Sequence, residues 1–247
     1  MSNGTNEKNI NKMPLVSILI PTYNRPHYFE IALKSALEQT YPNIEIIIGD
    51  DSTNDETEKV IQKYLHKHKN ITYIKNKSTL GQFENALMLL NKANGEYINF
   101  LMDDDLFHEN KIQKMMKYFL NDLDNEIKLV TSHRQVIDGE GNLLPDVYST
   151  MPLFDTDTII EGIQLGNLVI TNQKNYIGEP TTVLFRKSQL TEPYGTLNQR
   201  KYNCNVDIAS WITLLTKGKA IYITETLSYF RLHTKQQVNK SNHLMEG

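Results

Sequence analysis

An α/β fold on a doubly wound, mostly parallel sheet is predicted for the first half of this chain, with a smaller mixed half behind it. Three observations predict it. Between residues 15 and 120, short β-branched runs alternate with stretches of helical period. The links between them are short, as in βαβ units. The apolar runs are near-continuous rather than alternating, which suits strands covered on both faces.

The elements follow in order. "LVSILI" (15–20) is the first strand and stops at Pro21. Pro26 suits a first helical turn, and Phe29, Leu33, Ala36, Leu37 and Thr40 then share one stripe. "IEIIIGD" (44–50) is the second strand. Thr53 and Glu56 have capping-box spacing before a helix with Val60, Ile61, Tyr64 and Leu65 inward. "ITYIKN" (71–76) is the third strand, and residues 83–95 form a helix ended by Asn94-Gly95. "EYINFLM" (96–102) is the fourth strand, running into Asp103-Asp104-Asp105. A helix with Ile112, Met115, Met116 and Phe119 inward comes next.

After residue 121 the rhythm changes. "KLVTSHRQVIDGEGNLL" (128–144) reads as a hairpin across Asp138–Gly141, and "LVITNQKNYIGEP" (168–180) as a lid. "TTVLFRK" (181–187) is a strand, "VDIASWITLLTKG" (206–218) a helix with Ile208, Trp211, Ile212 and Leu215 inward, and residues 220–233 return as extended chain. No linker or repeat divides the halves. The expectation is a polar, mobile tail over 1–13 and one domain over 14–247, split at 120/121 into two halves.

Composition narrows the function. The 247 residues are 39% hydrophobic and 22% charged, with net charge −3, so no global pull toward nucleic acid or anionic membrane is expected. Cys204 is the single cysteine, which excludes an intrachain disulfide and zinc sites built from several thiolates. No stretch approaches the ~20 apolar residues of a membrane helix, and "MSNGTNEKNINKMP" has no apolar core, so it is not a signal peptide. A cytoplasmic location is expected, with peripheral membrane association left open.

In open α/β sheets, ligands bind outside the carboxyl ends of the strands. Polar clusters follow the strands there: Pro21-Thr22-Tyr23-Asn24-Arg25, Gly49-Asp50-Asp51-Ser52, Asn76-Lys77 and Asp103-Asp104-Asp105. Adjacent carboxylates suit a hard divalent cation, Mg²⁺ or Mn²⁺, that bridges to phosphates; the plain alternative is a solvated acidic turn. Tyr23 is placed to stack on a base or to pack at the sheet rim. Asp51 is placed to accept from a nucleobase N–H or to cap the next helix. Arg25 and Lys77 are cations available to a diphosphate.

Together, "VSILIPTYNRPHYFEIALKSALEQTYPNIEIIIGDDSTNDET", "GEYINFLMDDD", "VDIASW" and "FRLH" resemble the inverting, nucleotide-sugar-dependent glycosyltransferases of family 2, with the GT-A fold. The resemblance covers nearly the whole chain after residue 13 and is most specific in its first half. It implies that Tyr23 and Asp51 contact the nucleobase, with Pro21 and Thr22 walling the pocket. Asp103-Asp104-Asp105 would be the D-x-D element, Asp103 and Asp104 facing ribose and sugar and Asp105 binding Mn²⁺ or Mg²⁺. His233 would join the metal or diphosphate. Asp207 matches the catalytic base, although Val206 stands where the family usually has glutamate; Glu179, an acid for the acceptor side, is its rival. The implied reaction moves a sugar from a nucleotide donor, a UDP-sugar by expectation, to a hydroxyl of a glycan or other acceptor in cell-surface polysaccharide synthesis. A nucleotide-sugar-binding protein without catalysis and a nucleotidyltransferase are the competing readings. The latter usually has a glycine-rich basic loop where this chain has "PTYNRPH".

Overall fold

The structure is a computed structural model and describes residues 13–233. The expected tail, Met13 apart, and residues 234–247 lie outside that range. In chain order the elements are β1 (Val16–Thr22), α1 (Pro26–Leu37), β2 (Ile44–Asp50), α2 (Glu56–Leu65), β3 (Ile71–Lys75), α3 (Gln82–Lys92), β4 (Tyr97–Phe100), β5 (Leu106–Phe107), α4 (Lys111–Asn121) and β6 (Ile127–Ile137). There follow β7 (Thr158–Glu161), α5 (Gly162–Asn172), β8 (Leu184–Arg186), β9 (Thr196–Leu197), β10 (Arg200–Lys201), α6 (Val206–Leu215) and β11 (Lys219–Arg231).

One nine-stranded sheet runs through both halves in the order β3-β2-β1-β4-β8-β6-β11-β5, with β7 also on β11. β3, β2, β1 and β4 are parallel, as the alternating pattern predicts. β8 is antiparallel to both β4 and β6, and β11 is parallel to β6. The second half therefore extends the first sheet, and its own addition is the small antiparallel pair β9–β10.

Side-chain alternation along the buried strands divides the core into two layers. Ile18, Ile20, Ile46 and Ile48 face α1 and α4, against Phe29, Leu33, Met115 and Phe119. Leu19, Ile47, Ile98 and Phe100 face α3 and α6, against Leu89, Leu90, Trp211 and Leu214. The strand ends are thereby held rigidly from both sides.

Several local expectations are corrected. Thr53 and Glu56 form no capping box. Asn54 Oδ1 accepts from the Glu56 amide at 3.0 Å, while Thr53 pairs with Asn24. The third helix ends at Lys92, before Asn94-Gly95. Ala93 is already extended (ψ 130°), and Glu45 takes the Asn94 and Gly95 amides. Gly95 is needed for closeness: a Cβ there would lie 2.5 Å from Ser17 Oγ. The expected hairpin has its turn, Asp138 N–H to Asn142 O at 2.9 Å, but only the single bridge Ile137–Leu143 follows. Residues 168–172 are the last turn of α5, with Val169 buried, rather than part of a lid.

Candidate active site

The carboxyl ends of β1, β2 and β4 open onto a cavity of about 420 Å³. The register explains the convergence: Thr22 pairs with Asp50 across β1–β2, and Leu19 with Phe100 across β1–β4. Pro21, Thr22, Tyr23, Arg25, Asp51, Asp103, Asp104, Asp105 and Glu179 all line the cavity. Tyr23 lines it while remaining 48% exposed.

The aspartates have separate surroundings. Asp103 accepts from Thr22 Oγ1 (2.9 Å), the Tyr23 amide (3.2 Å) and Arg25 Nη1 (3.0 Å). The same Arg25 nitrogen lies 2.7 Å from Asp104 Oδ2. His233 Nε2 is 3.0 Å from that oxygen. Asp105 is turned elsewhere: one oxygen accepts from Thr181 Oγ1 (2.6 Å), the other from the Arg231 amide (3.1 Å). Burial first, and Asp104 second, push Asp103 up to about 6 and Asp105 well above the carboxylate range; Arg25 pulls Asp103 back. The short strand β5 sets this arrangement by pairing with β11, which delivers Arg231 and His233 to the acids.

Asp51 organises the opposite wall. Its carboxylate accepts from Asn76 Nδ2 (2.7 Å) and from the amides of Leu80 (3.1 Å) and Gly81 (2.8 Å). That folds the chain into α3 so that Thr79, Gly81, Gln82 and Asn85 join the lining. Gly81, with φ +85°, occupies a conformation L side chains rarely adopt. A carboxylate has about four acceptor positions, so one remains for a ligand N–H. Lys77 is exposed and does not line the cavity. The buried partner of the adjacent Lys75 is Asp50.

The wall opposite is a strap over residues 177–182, gripped by buried side chains from four elements, β6, α6, β4 and α4. Thr131 donates to Ile177 O, and Trp211 Nε1 to Gly178 O (3.2 Å). Asn99 donates to Thr181 O (3.1 Å) and buried Lys111 to Thr182 O (2.8 Å). Gly178 has φ +105°, and a Cβ there would lie 2.7 Å from Thr182. The strap carries Glu179, whose Oε2 lies 2.5 Å from Arg134 Nε in an ion pair without hydrogen-bond alignment. Asp207, in the first turn of α6, is not part of the cavity lining. Burial pushes it up to about 6 against the pull of its helix-end amides, with Glu179 raising and Arg134 lowering it. Glu179, Arg134 and Asp207 thus form one electrostatic neighbourhood.

Among the described residues, no three His, Cys, Asp or Glu side chains are grouped to hold a metal ion unaided. The donor chemistry nevertheless fits a hard cation. Asp104 Oδ2 and His233 Nε2, which hydrogen-bond to each other at 3.0 Å, are an oxygen and a nitrogen donor that such an ion would accept, with its remaining ligands from water and phosphates.

Sequence reasoning missed Arg134, Thr181 and Arg231, because their roles come from cross-strand contacts that no local motif records.

The family model described as glycosyl transferase family 2 matches residues 17–192. The chain belongs to this family. As a family 2 glycosyltransferase it is 31% identical over 234 residues to an uncharacterized glycosyltransferase of Rickettsia typhi, covering 94% of this chain and 69% of that protein. It is 25% identical over 225 residues to the putative teichuronic acid biosynthesis glycosyltransferase TuaG of Bacillus subtilis, covering 90% of this chain and 81% of TuaG. Among solved structures, S. aureus TarS 1–349 in complex with UDP superposes with a TM-score of 0.67 at 19% identity, over 88% of this chain and 60% of that one. This glycosyltransferase therefore has the GT-A fold, with its cavity on the strand-end side that the fold class predicts. No helix among the described residues is long and apolar enough to cross a membrane.

Proposed function

We propose that this protein transfers a sugar, with inversion, from a nucleoside diphosphate sugar, a UDP-sugar by preference, to a hydroxyl of a glycan during cell-surface polysaccharide synthesis. One observation carries the reading: a half-exposed tyrosine, three aspartates and an arginine line the same cavity. Tyr23 stacks on the base, and Asp51 accepts its N–H. Thr22 and Pro21 wall the pocket, and Arg25 moves between the acids and the diphosphate. Asp103, held by Thr22 and Tyr23 N–H, faces the ribose.

Asp104 and His233 are the residues that would hold Mn²⁺ or Mg²⁺, in place of the Asp105 expected from the motif. A bound cation supplies counter-charge for the departing nucleoside diphosphate. Asp105 serves the frame by joining Thr181 to β11.

Asp207 takes the proton from the acceptor hydroxyl, which attacks the anomeric carbon opposite the leaving group. A carboxyl raised to about 6 is half-deprotonated there and still basic enough to accept a proton as the bond forms. A second reading makes Glu179 the base, favoured by its place on the cavity wall where Asp207 has none. Release of UDP from a panel of UDP-sugars tests both. Loss in Asp207→Asn with retention in Glu179→Gln supports the first; the reverse pattern supports the second. Neither loss would overturn both.

A further inference from the structure

The donor cavity leaves a second group of side chains unexplained. Lys174 is nearly buried, at 9% exposure. Its ammonium faces rings: Nζ lies 4.5 Å from the Tyr148 centroid and 4.8 Å from that of Tyr176. A cation against an aromatic face is attracted by the ring quadrupole, more strongly when desolvated. Lys174 therefore braces both tyrosines, while Tyr148 keeps 67% of its surface exposed.

The braced pair is tied to the cavity. Arg134, 3% exposed, donates from Nη2 to Ser149 O (2.8 Å) and Asn175 O (3.1 Å), the neighbours in sequence of Tyr148 and Tyr176. The same guanidinium pairs through Nε with Glu179 on the cavity wall. One buried side chain thus links the two tyrosine loops to the side on which an acceptor enters.

An exposed tyrosine face suits a pyranose ring. The sugar presents an apolar C–H surface to the ring and keeps its hydroxyls at the edge for polar partners. We propose that Tyr148 and Tyr176, braced by Lys174, form a stacking subsite for a sugar unit of the acceptor, so that the acceptor is an oligosaccharide or polysaccharide rather than a protein or lipid hydroxyl. The proposal rests on the transferase reading of the cavity. Glu179 takes a hydroxyl of the unit nearer the donor, and Arg134 is the positioning residue that keeps the two subsites in register.

The test uses the full chain with UDP and three tetrasaccharide probes: cellotetraose, chitotetraose and a uronate-bearing hyaluronan tetrasaccharide. Saturation-transfer NMR is expected to detect at least one probe, strongest at ring C–H protons. Tyr148→Ala and Lys174→Met weaken it by about tenfold, whereas Tyr148→Phe, which keeps the ring, binds as the parent does. Circular dichroism checks that each variant is folded. Undiminished binding in both Tyr148→Ala and Lys174→Met overturns the subsite, as does failure of all three probes while UDP binds. If UDP itself fails to bind, the transferase reading fails, which is a separate result.

Discussion

His233 Nε2 lies 3.0 Å from Asp104 Oδ2, whereas Asp105 accepts from Thr181 at one oxygen and from the Arg231 amide at the other. Three consecutive, chemically identical side chains are thus given different surroundings by residues 22–25, by Thr181 and by the chain at the end of β11. Asp104→Asn is expected to weaken UDP binding in Mn²⁺ by about tenfold or more, as loss of a metal ligand does, and to change it little in EDTA. Asp105→Asn keeps the Mn²⁺ dependence but loses about 1–3 kcal/mol of stability, since one buried donor loses its acceptor. Calorimetric titration with UDP in the two buffers and thermal melts separate the cases. A Mn²⁺ effect confined to Asp105→Asn would return the ligand to that residue.

Turnover should respond to Asp207 through pH as well as mutation. A general base contributes about 10²–10⁴ in rate, so Asp207→Asn should lose that much while UDP affinity stays at the parent value. With Asp207 raised to about 6, kcat/KM should fall roughly tenfold per unit below that pH, because only the deprotonated carboxyl accepts a proton. An unchanged acidic limb in Asp207→Glu or full activity in Asp207→Asn would contradict this role.

Stability of the free protein should fall as pH rises from about 4 to 6. The folded pKa of Asp103 is raised to about 6, above the ordinary 3.8. In that window the native state holds the proton more than the unfolded chain does, so raising the pH favours unfolding. Asp207 acts in the same direction. Asp103→Asn is expected to flatten the slope and raise the melting temperature at pH 8 by a few degrees, in line with ~1–2 kcal/mol for a chain of this size. Melting curves from pH 4 to 8 without metal or nucleotide measure it. An equal slope in the variant would remove Asp103 as its source.

Gly178 is expected to tolerate no side chain. Alanine there meets both a φ of +105° and a Thr182 contact at 2.7 Å, for a combined cost of about 2–4 kcal/mol. The strain falls on the strap that carries Glu179 and Thr181, so turnover should fall more than UDP affinity. Denaturant unfolding and UDP titration report the two effects, and a variant of parental stability would show that the strap yields.

Much of the first half is legible in the sequence. Strands such as "LVSILI" and "IEIIIGD" are set by local composition, and parallel order follows from the helices between them, so Tyr23, Arg25, Asp51 and the aspartates could be brought to one edge by topology alone. Lys77 could not be judged that way. Its place one residue past the third strand gives no direction, and the Asp51 contacts that fold residues 76–81 leave it outside the cavity. The second half is less legible because β8 is three residues long and β9 and β10 two each, too short for a period to appear.

The sequence by itself determined the α/β class, the family, the strand-end edge where polar residues converge, and the candidate acids. These depend on residue type and spacing over short distances, where chain connectivity does the placing. The tertiary structure alone decided which aspartate stands beside His233, that Glu179 lines the cavity while Asp207 does not, and that Arg134 joins Glu179 to the Tyr148 and Tyr176 loops. Each of these depends on a contact between residues far apart in the chain, and the long-range pairing of β11 with β5 and β6 creates the neighbourhood in which they meet.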